Sequence, residues 1–407
     1  MRSLQINILA SLDRDNHGPY NDPSMKSIRP TRWVVSASPS VIALIALLLA
    51  AFALRVFHLN WDEGTYLHPD EVHVADVTVN RIRFDWPPDL DNLLNPGASH
   101  LNPRSDDPAT GQPRGYAYGA LPIIVTRAAA TALNWVTGTD WTSYFDHIHL
   151  VGRTLSALAD TMTVVLSYLL AGRLLPPRLA LVAALLYALA PIPIQLAHFY
   201  TTDTWLTLFA TATLLFAVLG AQTGSFTYLA LSGAAFGFAM ASKGSVAALA
   251  GVIILAAVLG SRPASSPGGT TASSLIRLAW RASVPFLAAL AAFALFEPYA
   301  LARPSVYLDQ LFEQSRIVSG SLDVPFTRQY VGTMRGWYQV SQLVRWGLGP
   351  VAGVACLVGL ILVAHRAVST RAPAWLVLIA GILLQGMVVL WPETKFIRYV
   401  APLVPAL

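Results

Sequence analysis

The sequence predicts an all-α protein that crosses a membrane several times. Hydrophobic residues make up 55% of the 407 residues and charged residues only 12%, with a mean hydropathy of +0.53. A soluble domain of this length needs a polar surface that this composition does not provide. The third observation is a series of apolar runs, each near the length that crosses about 30 Å of hydrocarbon as a helix. Together these observations exclude an ordinary soluble enzyme, a nucleic-acid-binding domain and a disordered chain.

The apolar runs predict about nine complete spans and the start of a tenth. They cover residues 39–54, 154–172, 179–197, 204–221, 226–242, 245–260, 282–296, 346–364 and 372–391. Only the second run contains a charged residue, Asp160, for which we expect a structural bond between helices. The tenth run begins at Tyr399 and stops after about nine residues. We therefore expect the sequence to be part of a longer chain.

The charges before the first span favour a cytoplasmic N-terminus. Residues 1–38 form a polar tail that contains several basic residues and no signal-peptide pattern. Residues 39–407 then form the membrane module. Alternating the spans places residues 55–153 and 297–345 in outer loops and residues 261–281 in a cytoplasmic linker. The expected location is the plasma membrane, with the chemistry on the extracytoplasmic side.

This orientation concentrates the acidic residues on one side of the membrane. All 22 acids except Asp13, Asp15, Asp22 and Asp160 lie on the outer side. Residues 118–136 are apolar but contain a proline and an arginine, and counting them as a span would invert every later segment. We therefore expect a juxtamembrane helix there, within the first outer loop.

Acids and histidines are concentrated at the start of the first outer loop. Within twelve residues the chain contains Asp62, Glu63, His68, Asp70, Glu71 and His73. A partly desolvated carboxylate at this depth can act as a general base or bind a metal. On a helix, Asp70 and Glu71 point about 100° apart and are expected to do different jobs, whereas Asp70 and His73 share a face. The alternative is a set of solvated loop residues.

The segment Asp70–His73 resembles the Asp-Glu-Val-His motif of protein O-mannosyltransferases. These belong to the GT-C superfamily of membrane glycosyltransferases, which use polyprenyl-phosphate sugars and include the lipid A aminoarabinose transferases. Four further segments resemble the superfamily in the same order, over about residues 39–407. They are Tyr118–Pro122, similar to a Tyr-Pro-Pro-Leu helix but with Gly-Ala for Pro-Pro; Arg153–Ala159 with Arg173, similar to the second span; Ala241–Gly244, similar to a Thr-Lys-Gly turn; and Lys395–Pro402, similar to an Arg-Tyr-x-x-Pro span entry.

The resemblance implies a GT-C-like fold and an inverting glycosyltransferase. The enzyme would move a hexose or pentose from a polyprenyl phosphate to a hydroxyl on a protein, lipid or glycan acceptor. Asp70 would be the catalytic base, and Glu71 is assigned to the catalytic pair. General-base catalysis typically contributes about 10²–10⁴-fold, so stabilisation of the leaving phosphate must supply much of the remainder.

Four basic residues are candidates for binding the donor phosphate. Lys243 lies between two apolar runs with almost no loop, Lys395 and Arg398 precede the last apolar run, and Arg153 precedes the second. Arginine is suited to bidentate phosphate contacts. The alternatives are a lysine that snorkels to the interface at position 243 and an arginine that anchors a helix at position 153.

Three residues are assigned to the acceptor or metal side of the site: Asp203, His73 and Glu297. Asp203 lies in a hairpin between two spans and has helix capping as its alternative role. A divalent metal such as zinc or manganese stays an open question, because histidine and carboxylate side chains suit both ions. The candidate ligands are His68, Asp70, Glu71 and His73, with Asp203 nearby on the same side.

Two other classes of function compete with the transferase. A multi-span transporter or lipid flippase would retain the helices and use the loops for gating. Transporters place ionisable groups near the midplane, often in repeated halves, whereas here they cluster at one surface. A catalytically inactive relative that serves as an assembly subunit is the third candidate.

Overall fold

The computed structural model describes residues 39–261 and 271–407, so the predicted tail at 1–38 lies outside the described residues. The described residues form α-helices joined by short 3₁₀ and π turns, and they contain no β-strand, only an isolated bridge between Asp106 and Pro113. In chain order the helices are α1 (Pro39–Val56), α2 (Pro69–Asn80), α3 (Leu90–Leu94), α4 (Leu121–Thr137), α5 (Ile148–Ala171), α6 (Pro177–Leu189), α7 (Pro191–Ala197), α8 (Asp203–Thr223), α9 (Phe226–Met240), α10 (Leu249–Leu259), α11 (Thr271–Phe296), α12 (Pro298–Ala302), α13 (Pro304–Ser319), α14 (Trp337–Gln342), α15 (Pro350–Thr370) and α16 (Pro373–Leu390).

Five of these helices are long and apolar enough to cross a membrane: α5, α8, the Leu278–Phe296 part of α11, α15 and α16. Helices α6 and α7 pass the same test together, as a pair bent by 55°. Shorter apolar helices occupy Ser40–Val56, Phe226–Met240 and Gly244–Leu259. Every predicted apolar run thus coincides with a helix, and the total of nine spans stays a prediction.

The bend between α6 and α7 has a local cause in the sequence. Ala190 precedes Pro191 and has extended backbone angles, with φ −64° and ψ 133°. A residue before proline is pushed away from the helical region by the pyrrolidine ring. The single run predicted at 179–197 is therefore two helices. The predicted start of a tenth span likewise contains Pro402 and Pro405 and forms a 3₁₀ helix, Ile397–Ala406.

Close helix packing depends on small residues. Helix α9 lies against α11 because it has Gly233 and Gly237 on the contact face. A Cβ atom at Gly233 would lie 1.8 Å from the carbonyl oxygen of Pro285, and one at Gly237 would lie 2.2 Å from that of Ala289. Small residues at this four-residue spacing allow backbones to approach in membrane bundles.

A buried ion pair connects three helices. Arg55 of α1 donates from Nε to Asp160 Oδ2 of α5 at 2.5 Å, and both side chains are almost completely buried. The hydroxyl of Tyr187 in α6 donates to Asp160 Oδ1, also at 2.5 Å. Asp160 thus has the interhelical partners expected of a structural residue.

The two long connections contain helices of their own. Helices α2, α3 and α4 lie between α1 and α5, and α4 corresponds to the juxtamembrane helix predicted at 118–136. Helices α12, α13 and α14 lie between α11 and α15. The cytoplasmic linker predicted at 261–281 stays a prediction: α11 begins at Thr271, within its bounds, and residues 262–270 lie outside the described part of the chain.

Candidate functional site

Helix α2 orients the acidic motif. It begins with Pro69, whose fixed φ suits the first helical position, and it places Asp70 and Glu71 in its first turn, where the helix dipole favours negative charge. Asp70 is partly exposed, whereas Glu71 is completely buried. The two neighbouring carboxylates therefore face different surroundings, as their predicted angular separation requires.

Glu71 belongs to a buried cluster around Arg153. The guanidinium of Arg153 donates from Nε and Nη2 to the two carboxylate oxygens of Glu71 at 2.7 and 2.8 Å. It also donates from Nη1 and Nη2 to the oxygens of Asp62 at 2.9 and 2.7 Å. The backbone N–H of Tyr200 donates to Glu71 at 2.8 Å. All three charged side chains have an exposed fraction of 0%.

This cluster changes two of the predicted assignments. The guanidinium of Arg153 donates to the carboxylates of Asp62 and Glu71 and has no exposed surface with which to bind a phosphate. Glu71 has both oxygens occupied and cannot reach a substrate. We therefore withdraw Arg153 from the phosphate-binding set and Glu71 from the catalytic pair.

Asp70 is held by one oxygen only. Its Oδ2 accepts from Nη2 of Arg398 at 2.9 Å and from the hydroxyl of Tyr118 at 3.0 Å. Among the described residues no side chain or backbone group donates to Oδ1. Arg398 also contacts Nε2 of His68 from its Nη1 at 3.2 Å. One carboxylate oxygen is thus fixed, and the other is free to accept a proton.

Burial and neighbouring charges set the protonation of the groups around Asp70. Burial lowers the pKa of His68, and the nearby Arg398 adds to that effect, so His68 is neutral at neutral pH. Burial alone would lower the pKa of Arg398, but Asp203 and Asp70 outweigh it and raise that pKa above its ordinary value. Burial raises the pKa of Tyr118 well above its ordinary value, which keeps its hydroxyl protonated as a donor.

A second ion pair lies close to the first. Lys243, in the turn after α9, donates from Nζ to Oδ1 of Asp203 at 2.8 Å. The same ammonium lies 5.4 Å from the ring centre of Tyr118 and 5.3 Å from that of Tyr399. Asp203 is the first residue of α8 and Thr202 is the N-cap, without a capping side-chain bond, so the capping role for Asp203 is not supported.

Arg398 of the first pair and both residues of the second line a cavity of about 460 Å³. Its polar lining includes Tyr118, Asp203, Lys243, Arg398 and Tyr399. Its apolar wall consists of Leu206, Leu311, Phe312, Val318, Val388, Val389, Trp391 and Pro402. The cavity thus combines three cationic side chains, Lys243, Arg335 and Arg398, with an apolar surface, a combination that suits an anionic head group on a lipid tail.

The remaining predicted residues lie outside this cavity. Lys395 is buried and donates to the backbone carbonyl of Glu393 at 2.8 Å, so it does not support a phosphate contact. Glu297 is buried against Arg104, and its burial raises its pKa. His73 packs against the rings of Tyr116 and Tyr118, and burial lowers its pKa.

The predicted metal ligands do not converge on one point. Across residues 39–261 and 271–407 there is no group of three or more histidine, cysteine, aspartate or glutamate side chains that could hold a metal ion. Glu71 is occupied by Arg153, and His68 contacts Arg398. The donor set does not fit a resident metal ion, and no chemical step is assigned to one.

Three residues of the site were missed as functional candidates. The sequence marks Tyr118 and Tyr399 only as members of segments that resemble the superfamily, and Tyr399 also as the start of the last apolar run. Arg335 lines the cavity and pairs with Glu393 at 3.0 Å, but it lies in a long loop where nothing in its spacing marks it. Aromatic residues at span entries are common membrane anchors, so tyrosine placement alone is a weak signal.

Comparison with known proteins gives one match by sequence. The family model for dolichyl-phosphate-mannose-protein mannosyltransferases matches residues 141–301. No curated protein matches the sequence significantly.

Solved structures share the fold over most of this chain. The ArnT protein of Cupriavidus metallidurans bound to undecaprenyl phosphate has a TM-score of 0.59 at 17% identity, covering 91% of this chain and 59% of that one. The oligosaccharyltransferase of Archaeoglobus fulgidus tethered to an acceptor peptide has a TM-score of 0.54 at 14% identity, covering 90% of this chain and 48% of that one. The chain thus spans about half to three-fifths of the length of these structures.

The order of helices and these likenesses agree with one another. At such low identities the structural likeness establishes the fold, and the family model adds a sequence match over α5 to α11. The apolar helices support an integral membrane protein. Residues 141–301 are thus similar to the dolichyl-phosphate-mannose-protein mannosyltransferase family, and the fold of the chain is similar to that of ArnT.

Proposed function

We propose that the protein is an inverting glycosyltransferase that takes a sugar from a polyprenyl phosphate and transfers it to a hydroxyl acceptor. The single observation that carries the proposal is a half-free carboxylate, Asp70, paired with Arg398, which lines an apolar-walled cavity together with a second cation, Lys243. A related fold, that of ArnT, is solved with undecaprenyl phosphate bound, which supports a lipid phosphate as the donor class.

The free oxygen of Asp70 would act as the general base. Arg398 and Tyr118 hold Oδ2, so Oδ1 is the oxygen that can accept the acceptor's hydroxyl proton. As the proton moves to Asp70, the acceptor oxygen forms a bond to the anomeric carbon. The bond from that carbon to the phosphate oxygen breaks on the opposite face, and its electron pair goes to the phosphate.

Lys243 and Arg398 would stabilise the charge that develops on the leaving phosphate. Each already pairs with a carboxylate, which holds its charged group at the cavity surface before substrate arrives. Cations fixed in advance in a partly desolvated site need little reorganisation during the reaction, and this is the main source of electrostatic catalysis. The lipid tail would lie along the apolar wall.

The charge pattern of the sequence is the basis for the proposed location of the site. We place the site on the extracytoplasmic side of the plasma membrane, with the N-terminus in the cytoplasm. The acceptor is proposed only as a hydroxyl on a protein, lipid or glycan, since the connections between α1 and α5 and between α11 and α15 cover the cavity and would select it.

The experiment is incubation of purified protein with a panel of radiolabelled undecaprenyl-phosphate sugars, with and without hydroxyl acceptors. We expect release of undecaprenyl phosphate with at least one donor, and loss of that release in Asp70→Asn. Absence of both transfer and hydrolysis with every donor, together with movement of labelled lipid across sided vesicles, would instead identify a flippase.

A further inference from the structure

The turn of residues 116–121 connects the two halves of the proposed site. Tyr118 donates its hydroxyl to Asp70 and places its ring 5.4 Å from the ammonium of Lys243. The backbone N–H of Gly119 donates to the carbonyl of Ser242 at 3.0 Å. A Cβ atom at Gly119 would lie only 2.0 Å from the carbonyl oxygen of Ala241, so the close approach requires glycine. The turn therefore sets where Tyr118 lies relative to both charged groups.

Arg104 and Glu297 hold this turn from the side away from the cavity. Nη2 of Arg104 donates to the carbonyl of Tyr118 at 2.6 Å, and Nη1 donates to Oε2 of Glu297 at 3.0 Å. The other oxygen of Glu297 accepts from the backbone N–H of Ala120 at 2.7 Å. One ion pair thus fixes the backbone on both sides of Gly119.

Gln310 of α13 completes the arrangement. Its Oε1 accepts from the backbone N–H of Tyr116 at 2.9 Å and from Nε of Arg104 at 3.2 Å. Its Nε2 donates to the carbonyl of Arg114 at 3.0 Å. Three separate parts of the chain, the α1–α5 connection, the end of α11 and helix α13, therefore meet at the turn.

Stability alone does not account for this set. The side chains of Arg104 and Glu297 are only 5% and 2% exposed, and burying two charges costs about as much desolvation energy as their attraction returns. An apolar pair of similar volume would hold the helices as well. What the polar set adds is direction, because each of the three side chains bonds a particular backbone group in or next to the turn.

We propose that Arg104, Glu297 and Gln310, here called the turn clamp, are positioning residues for Asp70. The clamp fixes the backbone of Tyr118, Tyr118 fixes Oδ2 of Asp70, and Oδ1 is thereby aimed at the acceptor. The inference rests on the proposed transferase function for its catalytic consequence. The turn clamp itself contacts neither donor nor acceptor, since none of its three side chains lines the cavity.

The test uses Gln310→Met, because Gln310 is half-buried and its loss leaves the buried ion pair intact. We expect kcat for sugar transfer to fall by up to about 10-fold, the value of one neutral hydrogen bond such as that from the backbone N–H of Tyr116, with the donor KM unchanged. Gln310→Glu keeps the acceptor oxygens and should restore most of the rate. Glu313→Met, on the exposed side of α13, is the matched control.

A double-mutant cycle separates positioning from a merely structural role. If the clamp acts through the hydroxyl of Tyr118, Gln310→Met should have little further effect on kcat in a Tyr118→Phe background. Additive losses in the cycle, or a Gln310→Met enzyme with unchanged kcat, would overturn the proposal.

Amide hydrogen exchange in residues 116–121 provides a readout that needs no turnover. Gln310→Met should speed exchange there, and Glu313→Met should not. Unchanged exchange in Gln310→Met overturns the clamp even if the wild type transfers no sugar. Faster exchange in a protein that turns over no donor contradicts the proposed function and leaves the turn clamp in place.

Discussion

The neighbouring residues Asp70 and Glu71 of α2 belong to two different clusters of charge, and these clusters differ in how completely their groups are paired. Around Arg153, each carboxylate oxygen of Asp62 and Glu71 accepts a hydrogen bond, and all three side chains are fully buried. Around Arg398, one oxygen of Asp70 has no partner among the described residues, and the side chains stay 16% exposed. Full pairing suits a structural role, whereas the half-free, accessible carboxylate retains the capacity to react.

The largest effect on activity is expected from Asp70→Asn. The amide keeps the shape of the side chain but cannot act as a base, so the transfer rate should fall by about 10²–10⁴-fold. Because the site is partly exposed, the melting temperature should change little. The measurement is single-turnover sugar transfer with a parallel thermal unfolding curve. A fully active Asp70→Asn enzyme would remove Asp70 from the chemistry.

Glu71→Ala should have its main effect on the stability of the protein. It removes the acceptor of two of the five hydrogen bonds that Arg153 donates in a buried place, and breaking such a cluster typically costs about 3–5 kcal/mol of stability. Thermal unfolding in detergent measures the loss, with the exposed Asp309→Ala as the control. An unchanged unfolding temperature would show that the buried cluster contributes less than its geometry indicates.

Lys243→Ala should weaken lipid-phosphate binding. It removes one charge-assisted bond of about 1.5–3 kcal/mol, which corresponds to roughly 10- to 100-fold in affinity. Titration with undecaprenyl phosphate measures the change, and Arg316→Ala on the exposed face of α13 is the control for net charge. Equal affinities in the wild type and Lys243→Ala would return Lys243 to the role of a snorkelling anchor.

Tyr118→Phe should have the smallest effect of the four. It removes one of the two bonds to Oδ2 of Asp70 and leaves Arg398 in place, so a rate loss of up to about 10-fold is expected. Donor affinity should be retained, because the ring beside Lys243 is unchanged. A loss of affinity with an unchanged rate would assign Tyr118 to the phosphate instead of the base.

Apolar runs and charge were sufficient to predict the apolar helices, but neither the helices α12 to α14 within the outer loop nor the pairing of side chains. The runs predicted from hydropathy all coincide with helices, because the hydropathy and length of a run are local properties of the sequence. The helix break at Ala190 follows from the proline after it, so the sequence contains the information needed to predict the break.

The roles of the basic residues could not be read from the sequence in the same way. Arg153 and Arg398 both flank apolar runs, yet one is enclosed by Asp62 and Glu71 and the other faces a cavity. That difference depends on contacts across more than 80 positions, such as Arg153 to Glu71. Long-range pairing of this kind leaves no periodic signal.

The most direct test of the account compares the two neighbouring carboxylates in one assay. Single-turnover release of sugar from the undecaprenyl-phosphate donor that the wild type accepts is measured for Asp70→Asn and Glu71→Gln, each normalised to the amount of folded protein. The account predicts that Asp70→Asn is at least about 100-fold slower than Glu71→Gln. Equal rates, or a slower Glu71→Gln, would contradict the division of roles between the exposed and buried clusters.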